Sequence, residues 1–245
     1  PIMSLEERKQ VHSIVLDQNK GQITVVAHVG TTSTAQAIAL ACHAQDTGAD
    51  YIASIPPYYH RHDEYTVIKY FEALVNAVEL PVYVYNNPKA SGITITPSYL
   101  KNLADVGVQG IKDSAFSYID FVHNILALQS EPDFSFIVGT EGIALPAFMA
   151  GAKGCVSGLA NVFPELMVKL WDTYQAGDYE KAAGLQLKVV KARQILHIPS
   201  STNAACYAVL EARGIDCGQP KLPILPVKPE KKIEMIRAFE SMGLL

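Results

Sequence analysis

The feature that most constrains the fold is a regular alternation of short apolar runs with amphipathic segments. The apolar runs begin near residues 23, 51, 81, 108, 134 and 154. The segments between them have helical periodicity, as where Val67, Phe71, Leu74 and Val78 recur at three- and four-residue intervals. Strands that alternate with helices imply parallel βαβ units with right-handed crossovers. The sequence therefore predicts an α/β protein built on a parallel sheet.

The number of strands and the length of the chain point to different conclusions. A closed (β/α)8 barrel typically takes about 250 residues, and this chain has 245. Only six strands are visible, however, and the residues after Phe163 are predicted to be helical, in segments near 164–176, 179–197, 202–213 and 230–242. We expect a (β/α)8 TIM barrel whose first two strands lie before Pro1. Residues 1–177 would form the partial barrel, and residues 178–245 a helical region packed on it.

The first visible strand bears on the competing architecture, an open doubly wound sheet. Residues Ile23–Val29 are mostly apolar and rich in β-branched side chains, which is typical of a strand buried on both faces of a parallel sheet. No Gly-x-Gly-x-x-Gly motif follows this strand, so the sequence does not support the nucleotide site of a doubly wound sheet.

The chain opens on a predicted helix. Ser4 and Glu7 have the spacing of a capping box. Behind them, an apolar stripe is formed by Val11, Ile14 and Val15. We therefore expect a first helix of about four turns.

Composition restricts the partner of this protein. The chain has 20 Lys and Arg against 24 Asp and Glu, which argues against nucleic acid or an anionic membrane as the main partner. No apolar run approaches the roughly 18 residues that span a bilayer. The cysteines lie far apart without a Cys-x-x-Cys motif, which favours reduced thiols in a cytoplasmic protein; they are Cys42, Cys155, Cys206 and Cys217. The expected partner is a small molecule.

One strand ends in a lysine that could act as a nucleophile. In a parallel barrel, functional side chains lie at the carboxyl ends of the strands. In the strand Val108–Lys112, side-chain alternation directs Lys112 into the barrel if Ile111 packs on the helices. A partly desolvated lysine favours its neutral amine, which can attack a carbonyl. The alternative is a lysine that reaches the rim and pairs with a carboxylate.

The neighbouring strand favours the nucleophilic interpretation. In Pro81–Tyr85 the valines suit the helix-facing side, which directs Tyr83 and Tyr85 inward. Adjacent strands lie about 4.8 Å apart, so a phenol on one strand can approach an amine on the next. A tyrosine hydroxyl near a nucleophilic lysine can move protons during carbinolamine formation and carbon–carbon cleavage.

Short motifs recur in order along the whole chain. They are Pro57-Tyr58-Tyr59, Tyr85-Asn86-Asn87-Pro88 with Ser91-Gly92 after it, Gly110-Ile111-Lys112-Asp113-Ser114, Val138-Gly139 and Gly151-Ala152-Lys153-Gly154. This ordered set resembles the dihydrodipicolinate synthase and N-acetylneuraminate lyase family of pyruvate-type class I aldolases. The resemblance implies a (β/α)8 barrel with extra C-terminal helices. It also implies a covalent lysine imine with the substrate and no metal or organic cofactor.

The resemblance also implies roles for individual residues. Lys112 would form the Schiff base, and Tyr85 would relay protons. Gly139 and the backbone carbonyl of Val156 look like parts of the substrate pocket. Tyr59 matches the family's tyrosine that reaches into a neighbouring subunit's active site, which implies a homodimer or homotetramer. An exposed aromatic at the rim is the alternative interpretation of Tyr59.

Two positions depart from the best-known activities of this family. Dihydrodipicolinate synthases carry an arginine two residues after the motif proline, where it can bind a second substrate carboxylate; this position is Ala90. Sialic acid lyases carry two successive acidic residues near the strand-end glycine, and here Glu141 is followed by Gly142. The stretch Ile198–Asn203 looks more like the 2-keto-3-deoxy sugar acid aldolases.

A third departure concerns the substrate carboxylate. The family's Gly-Thr-Thr-Gly-Glu loop, which holds this carboxylate, is absent. Residues Gly30–Ser33 look similar but follow the wrong strand, and they are predicted to form a helix-capping turn. Family members place the loop just before a segment like Met3–Arg8, so we expect this chain to begin just past it.

The sequence leaves three functional hypotheses. The first is a Schiff-base lyase that acts on pyruvate, other 2-keto acids and an aldehyde, as a 2-keto-3-deoxy sugar acid aldolase or dehydratase or, alternatively, as a dihydrodipicolinate synthase that condenses pyruvate with aspartate semialdehyde. The second is a catalytically silent binding or regulatory relative. The third is a barrel that binds a phosphorylated ligand near residues 139–142 or Gly158.

Overall fold

The computed structural model describes all residues from Pro1 to Leu245 and contains a six-stranded sheet. The strands are β1 (Val26–His28), β2 (Tyr51–Ser54), β3 (Val82–Asn86), β4 (Val108–Asp113), β5 (Ser135–Val138) and β6 (Gly154–Cys155). The helices are α1 (Leu5–Asn19), α2 (Thr34–Asp46), α3 (Glu64–Val75), α4 (Pro88–Ser91), α5 (Pro97–Asp105), α6 (Tyr118–Ala127), α7 (Ala144–Ala150), α8 (Pro164–Gln175), α9 (Tyr179–Leu196), α10 (Thr202–Ala212) and α11 (Pro229–Ser241). None of these helices is both long enough and apolar enough to cross a membrane.

The order of the strands in the sheet is the same as their order along the chain. β1 pairs with β2, β2 with β3 and β3 with β4, all in parallel. The structure confirms the predicted α/β fold with six parallel strands followed by helices, whereas closure into a (β/α)8 barrel stays a prediction. The register of β3 and β4 aligns Tyr83 with Gly110 and Tyr85 with Lys112. The carboxyl ends of these two strands therefore lie side by side.

The beginning of the chain follows the prediction in part. The capping box of α1 is confirmed, because the backbone N–H of Glu7 donates to Ser4 Oγ (3.2 Å) and the backbone N–H of Ser4 donates to Glu7 Oε2 (2.7 Å). No residue of α1 is buried, however. The predicted apolar stripe is exposed at all of its positions, which are Val11, Ile14 and Val15.

The first strand departs from the prediction more clearly. β1 is shorter than the predicted Ile23–Val29, and only its central residue, Ala27, is buried. Ile23 is 72% exposed and precedes the strand. The prediction of a strand buried on both faces was wrong, because the side chains on one face of β1, Val26 and His28, are exposed.

The packing of the chain divides it into two compact units. The first contains residues 3–137 and 150–153, and the second contains residues 138–149 and 154–245. Large side chains without solvent exposure fill the first unit, among them Leu40, Ile52, Phe71, Leu74, Leu100 and Ile111. Those of the second unit include Leu159, Phe163, Leu170 and Phe239. The domain boundary expected at residue 177 falls inside the second unit and stays a prediction.

Gly110 on β4 leaves space for the ring of Tyr83, its partner on β3. A Cβ atom at Gly110 would lie 2.6 Å from Cε2 of Tyr83, closer than any van der Waals contact allows. Tyr83 is buried, so its ring has little space into which it could move. The aromatic ring of Tyr83 thus occupies the volume that a side chain at position 110 would need.

We therefore expect Gly110→Ala to lower the free energy of unfolding by about 1–3 kcal/mol, the usual cost of overpacking a core. Urea unfolding would measure the change. The matched control is Gly184→Ala in α9, where a Cβ would meet no atom within 4 Å. This second substitution should stabilise the protein by about 0.5–1 kcal/mol, because glycine is unfavourable inside a helix. Equal effects of the two substitutions would contradict this account of Gly110.

Candidate active site

Lys112 and Tyr85 lie next to each other at the carboxyl ends of β4 and β3. Lys112 Nζ is 4.0 Å from the centroid of the Tyr85 ring. Both side chains are half-buried, so each can contact a small molecule. A cation over the face of an aromatic ring is attracted by the ring quadrupole. The structure thus brings together the amine and the phenol that the sequence singled out.

The hydroxyl group of Tyr85 has a defined hydrogen-bond partner. Asn87 Nδ2 donates a hydrogen bond to Tyr85 Oη, at 3.1 Å. Because the phenol oxygen is the acceptor in this contact, its own O–H remains able to donate to another group. Asn87 therefore orients the phenol without using its proton, a role that the sequence analysis did not assign to it.

A buried polar pair joins the ends of β3 and β4 beside Tyr85 and Lys112. Asn86 Nδ2 donates to Asp113 Oδ2 at 2.7 Å. Asp113 Oδ1 also accepts from the backbone N–H of Ala115 at 2.8 Å, and the Asn86 carbonyl accepts from the backbone N–H of Ser114 at 2.8 Å. Burial raises the pKa of Asp113 above its usual value. These hydrogen bonds hold the two strand ends in register.

His28, at the end of β1, is a site residue that the sequence analysis missed. Its ring meets the Tyr85 ring edge-on, with centroids 6.2 Å apart and planes at 88°. Arg8 donates from Nη2 to the His28 carbonyl (2.7 Å) and from Nη1 to the Gly30 carbonyl (3.0 Å). In the sequence, His28 is visible only as a histidine within an apolar strand. The contact of its ring with Tyr85 becomes apparent only from the strand register of the structure.

The turn after β1 differs in detail from the prediction. Residues Gly30–Ser33 do lead into α2, as expected. Ser33 occupies the N-cap position, but its side chain forms no capping hydrogen bond. Instead, Thr31 Oγ1 accepts from the backbone N–H of Ser33 at 2.8 Å. The turn is therefore stabilised by Thr31 within the loop rather than by a capping side chain.

In the second unit, Glu141 is held by α9. It is buried, and its Oε1 lies 3.6 Å from Nε of Arg193. Gln186 Nε2 donates to the Glu141 carbonyl at 2.9 Å, and the backbone N–H of Leu145 donates to Gln186 Oε1 at 2.8 Å. Burial, and then the charge of Glu141, raise the pKa of the Cys206 thiol to about 11. The Glu141 carboxylate thus pairs with Arg193, and its role in substrate binding stays a prediction.

Four other predicted site residues have clear positions but untested roles. Gly139 directly follows β5, and the backbone N–H of Val156 donates to the Val138 carbonyl at 2.9 Å. Ala90 is exposed on α4. Tyr59 is 89% exposed and has φ 81°, a left-handed conformation that is strained for a residue other than glycine. Such strain often lies at functional positions.

The histidine, cysteine and acidic side chains do not form a metal site. No three His, Cys, Asp or Glu side chains are grouped closely enough to hold a metal ion. The four cysteines form no disulfide.

Loss of the Glu141–Arg193 ion pair should lower the free energy of unfolding more than loss of an exposed pair of the same type. Glu141→Ala should lower the free energy of unfolding by about 3 kcal/mol, because it leaves a partly buried guanidinium without its carboxylate. Glu165→Ala is the matched control, since Glu165 pairs with Arg213 at 2.9 Å but its side chain is 55% exposed. Its loss should cost at most about 1 kcal/mol. Similar losses in urea unfolding would show that Glu141 is not an anchor of this unit.

Comparison with known proteins gives consistent matches. A family model described as the dihydrodipicolinate synthetase family matches residues 1–242. An uncharacterized DapA-like lyase of Halobacterium salinarum is 32% identical over 246 residues, which cover 100% of this chain and 80% of the relative. A 4-hydroxy-tetrahydrodipicolinate synthase of Methanopyrus kandleri is 30% identical over 99% of this chain and 81% of its own length.

Solved structures of the same family are also similar to this chain. YagE, a dihydrodipicolinic acid synthase family protein of E. coli K12 solved in complex with pyruvate, matches with a TM-score of 0.93 and 28% identity over 100% of this chain and 83% of that chain. The dihydrodipicolinate synthase of Bacteroides thetaiotaomicron matches with a TM-score of 0.90 and 30% identity, over 98% of this chain and 82% of that chain.

Proposed function

The chain belongs to the dihydrodipicolinate synthetase family, whose members are class I aldolases and lyases, and we propose that it acts through a Schiff base on Lys112. The position of Lys112 Nζ, 4.0 Å from the centroid of the Tyr85 ring, carries this proposal. A phenol next to a lysine amine is the arrangement that imine chemistry needs, because each of its steps moves a proton at the reacting nitrogen or oxygen.

The reaction begins with attack of the neutral Lys112 amine on the ketone carbon of a 2-keto acid. A carbon–nitrogen bond forms, and the carbonyl oxygen takes a proton to give a carbinolamine. Loss of water then gives the protonated imine. Tyr85 donates and accepts protons in these steps, and Asn87 keeps its hydroxyl oriented, since Asn87 Nδ2 lies 3.1 Å from Tyr85 Oη.

Cleavage of the carbon–carbon bond follows from the charge of the imine. As Tyr85 takes the proton from the hydroxyl on the fourth carbon, the electron pair of the bond between the third and fourth carbons moves to the protonated imine, which leaves an enamine on Lys112 and releases an aldehyde. Protonation of the enamine and hydrolysis of the imine release pyruvate and regenerate the amine. Because the imine itself is the electron sink, this mechanism uses no metal or organic cofactor.

Borohydride reduction tests the Schiff base directly. With pyruvate present, it should leave a stable adduct on Lys112, located by peptide mass spectrometry. Lys112→Met should abolish the adduct, because it removes the nucleophile and keeps the length of the side chain. Lys89→Met is the matched control, since Lys89 lies on α4 and contacts the Phe116 ring at 4.8 Å; this variant should be modified like the wild type. An unmodified Lys112 in the wild type would favour a catalytically silent relative.

We further propose that the substrate cleaved is a 2-keto-3-deoxy sugar acid, or that such an acid is dehydrated. Ala90 has no group that could bind a second carboxylate, which disfavours aspartate semialdehyde as the partner of pyruvate. Glu141 is the only acidic residue of its turn and already pairs with Arg193, which disfavours the sialic acid lyase activity. Relatives named 4-hydroxy-tetrahydrodipicolinate synthase support the condensation as the second candidate.

A panel of substrates distinguishes these activities. We expect pyruvate release from at least one 2-keto-3-deoxy sugar acid with a kcat/KM about tenfold or more above that of the condensation of pyruvate with aspartate semialdehyde; a tenfold ratio is about 1.4 kcal/mol of transition-state stabilisation. A larger kcat/KM for the condensation would make the chain a dihydrodipicolinate synthase despite Ala90.

We also propose that the subunits assemble into an oligomer and that further residues contact the substrate. The exposure and strained backbone of Tyr59 support a homodimer or homotetramer in which this side chain reaches a neighbouring subunit's site. Gly139, the Val156 carbonyl and Glu141 remain proposed contacts of the substrate. We also propose a cytoplasmic location, on the wide spacing of the four cysteines without a Cys-x-x-Cys motif.

A further inference from the structure

His28 lies on the same face of the sheet as the proposed catalytic pair. Register pairs His28 with Ala53, Ala53 with Tyr83 and Tyr83 with Gly110. Residues paired in register on parallel strands direct their side chains to the same face, and residues two apart on one strand share that face. His28 therefore lies on the same face of the sheet as Tyr85 and Lys112. Its position across the strands is that of Tyr83, two residues before Tyr85.

The His28 ring extends toward the carboxyl ends of the strands, where it contacts the Tyr85 ring. A Cβ built at Gly30 would lie 3.0 Å from Cε1 of His28, so the ring lies close beneath the turn that follows β1. Its ring centroid is 6.2 Å from that of Tyr85, with the planes nearly perpendicular at 88°. An edge-to-face contact of this kind is favoured by the ring quadrupoles and has a preferred geometry. Tyr85 thus has Lys112 over its ring, Asn87 at its hydroxyl and His28 packed against it.

The backbone of His28 is fixed independently of its ring. Arg8 donates to the carbonyl oxygens of His28 and Gly30, at 2.7 and 3.0 Å. The guanidinium therefore spans the end of β1 and the turn after it. Because two charge-assisted hydrogen bonds hold this segment, the ring has a defined position from which to support Tyr85.

The surroundings of His28 favour its neutral form. Protein atoms packed around the ring, and then the positive charges of Arg8 and Lys112, lower the pKa of His28 to about 4. His12 acts in the same direction, and Tyr85 is in contact with the ring. His28 as a whole residue is exposed, although burial of its ring nitrogens is the largest cause of this shift. At neutral pH His28 adds no further positive charge beside Lys112.

We propose that His28 is a positioning residue, which holds the Tyr85 ring in the orientation that places its hydroxyl for proton transfer with the Lys112 adduct. The proposal rests on the proposed Schiff-base function. It assigns His28 no contact with the substrate. The neutral imidazole acts through its edge-to-face contact with Tyr85, and a neutral aromatic ring of similar shape should replace it.

A double-mutant cycle tests whether His28 acts through Tyr85. We expect His28→Ala to lower kcat for pyruvate release about tenfold, since misplacement of a catalytic group by a fraction of an ångström has effects of this size. In a Tyr85→Phe background, His28→Ala should cause no further loss, because the hydroxyl that it positions is gone. His28→Phe should restore most of the activity. His123→Ala, an exposed histidine on α6, is the control and should leave kcat unchanged.

The outcomes separate this proposal from the proposed function. The borohydride adduct on Lys112 in the wild type is measured first, and its absence would overturn both. If the adduct forms, equal losses from His28→Ala in the two backgrounds would overturn the role of His28 alone. So would a His28→Phe variant that unfolds at the wild-type temperature but is as slow as His28→Ala.

An NMR titration of the His28 ring gives a readout that needs no turnover. Its midpoint in the wild type should lie far below the ordinary histidine value of about 6.5, and Lys112→Met should raise it because a nearby positive charge is removed. An ordinary midpoint that Lys112→Met leaves unchanged would contradict the neutral ring beside Lys112. This measurement remains possible if His28→Ala does not fold.

Discussion

The register between β3 and β4 is the constraint on which the candidate active site depends. A shift of one residue would turn Tyr85 or Lys112 to the opposite face of the sheet, since side chains alternate along a strand. Two features oppose such a shift. Gly110 leaves room for the Tyr83 ring in the observed alignment, and the buried Asn86–Asp113 hydrogen bond joins the strand ends at 2.7 Å. A broken buried hydrogen bond would leave the amide of Asn86 unsatisfied at a cost of about 1–3 kcal/mol.

The sequence was sufficient to predict the elements and the central pair, because both follow from local patterns. Helical periodicity and strand alternation gave the α/β architecture, and alternation within Val82–Asn86 and Val108–Asp113 directed Tyr85 and Lys112 to the same side. The exposure of Val11 on α1 and of one face of β1 could not be predicted in this way. Apolar residues indicate which face could be buried, but whether another element covers that face depends on the tertiary structure.

The residues that the sequence analysis missed act through contacts that have no local signature. His28 lies far along the chain from Tyr85, and its ring reaches the site only because β1, β2 and β3 pair in consecutive order. Arg8 is on α1, yet it fixes the backbone after β1. Asn87 was part of a recognised motif, but its hydrogen bond to the Tyr85 hydroxyl depends on the turn at the start of α4. Long-range positioning of this kind requires coordinates.

The charged groups around Lys112 are placed so that an anionic substrate meets the amine proposed to react. Arg8 places a positive charge near His28, but its guanidinium hydrogen-bonds two backbone carbonyls and so serves the fold of the first unit. His28 is held neutral, and Asp113 points its carboxyl at Asn86 and a backbone amide on the other face of the sheet. Of Arg8, His28 and Lys112, Lys112 is therefore the group proposed to react with substrate. A 2-keto acid drawn to its charge meets the same amine that, once neutral, attacks the ketone.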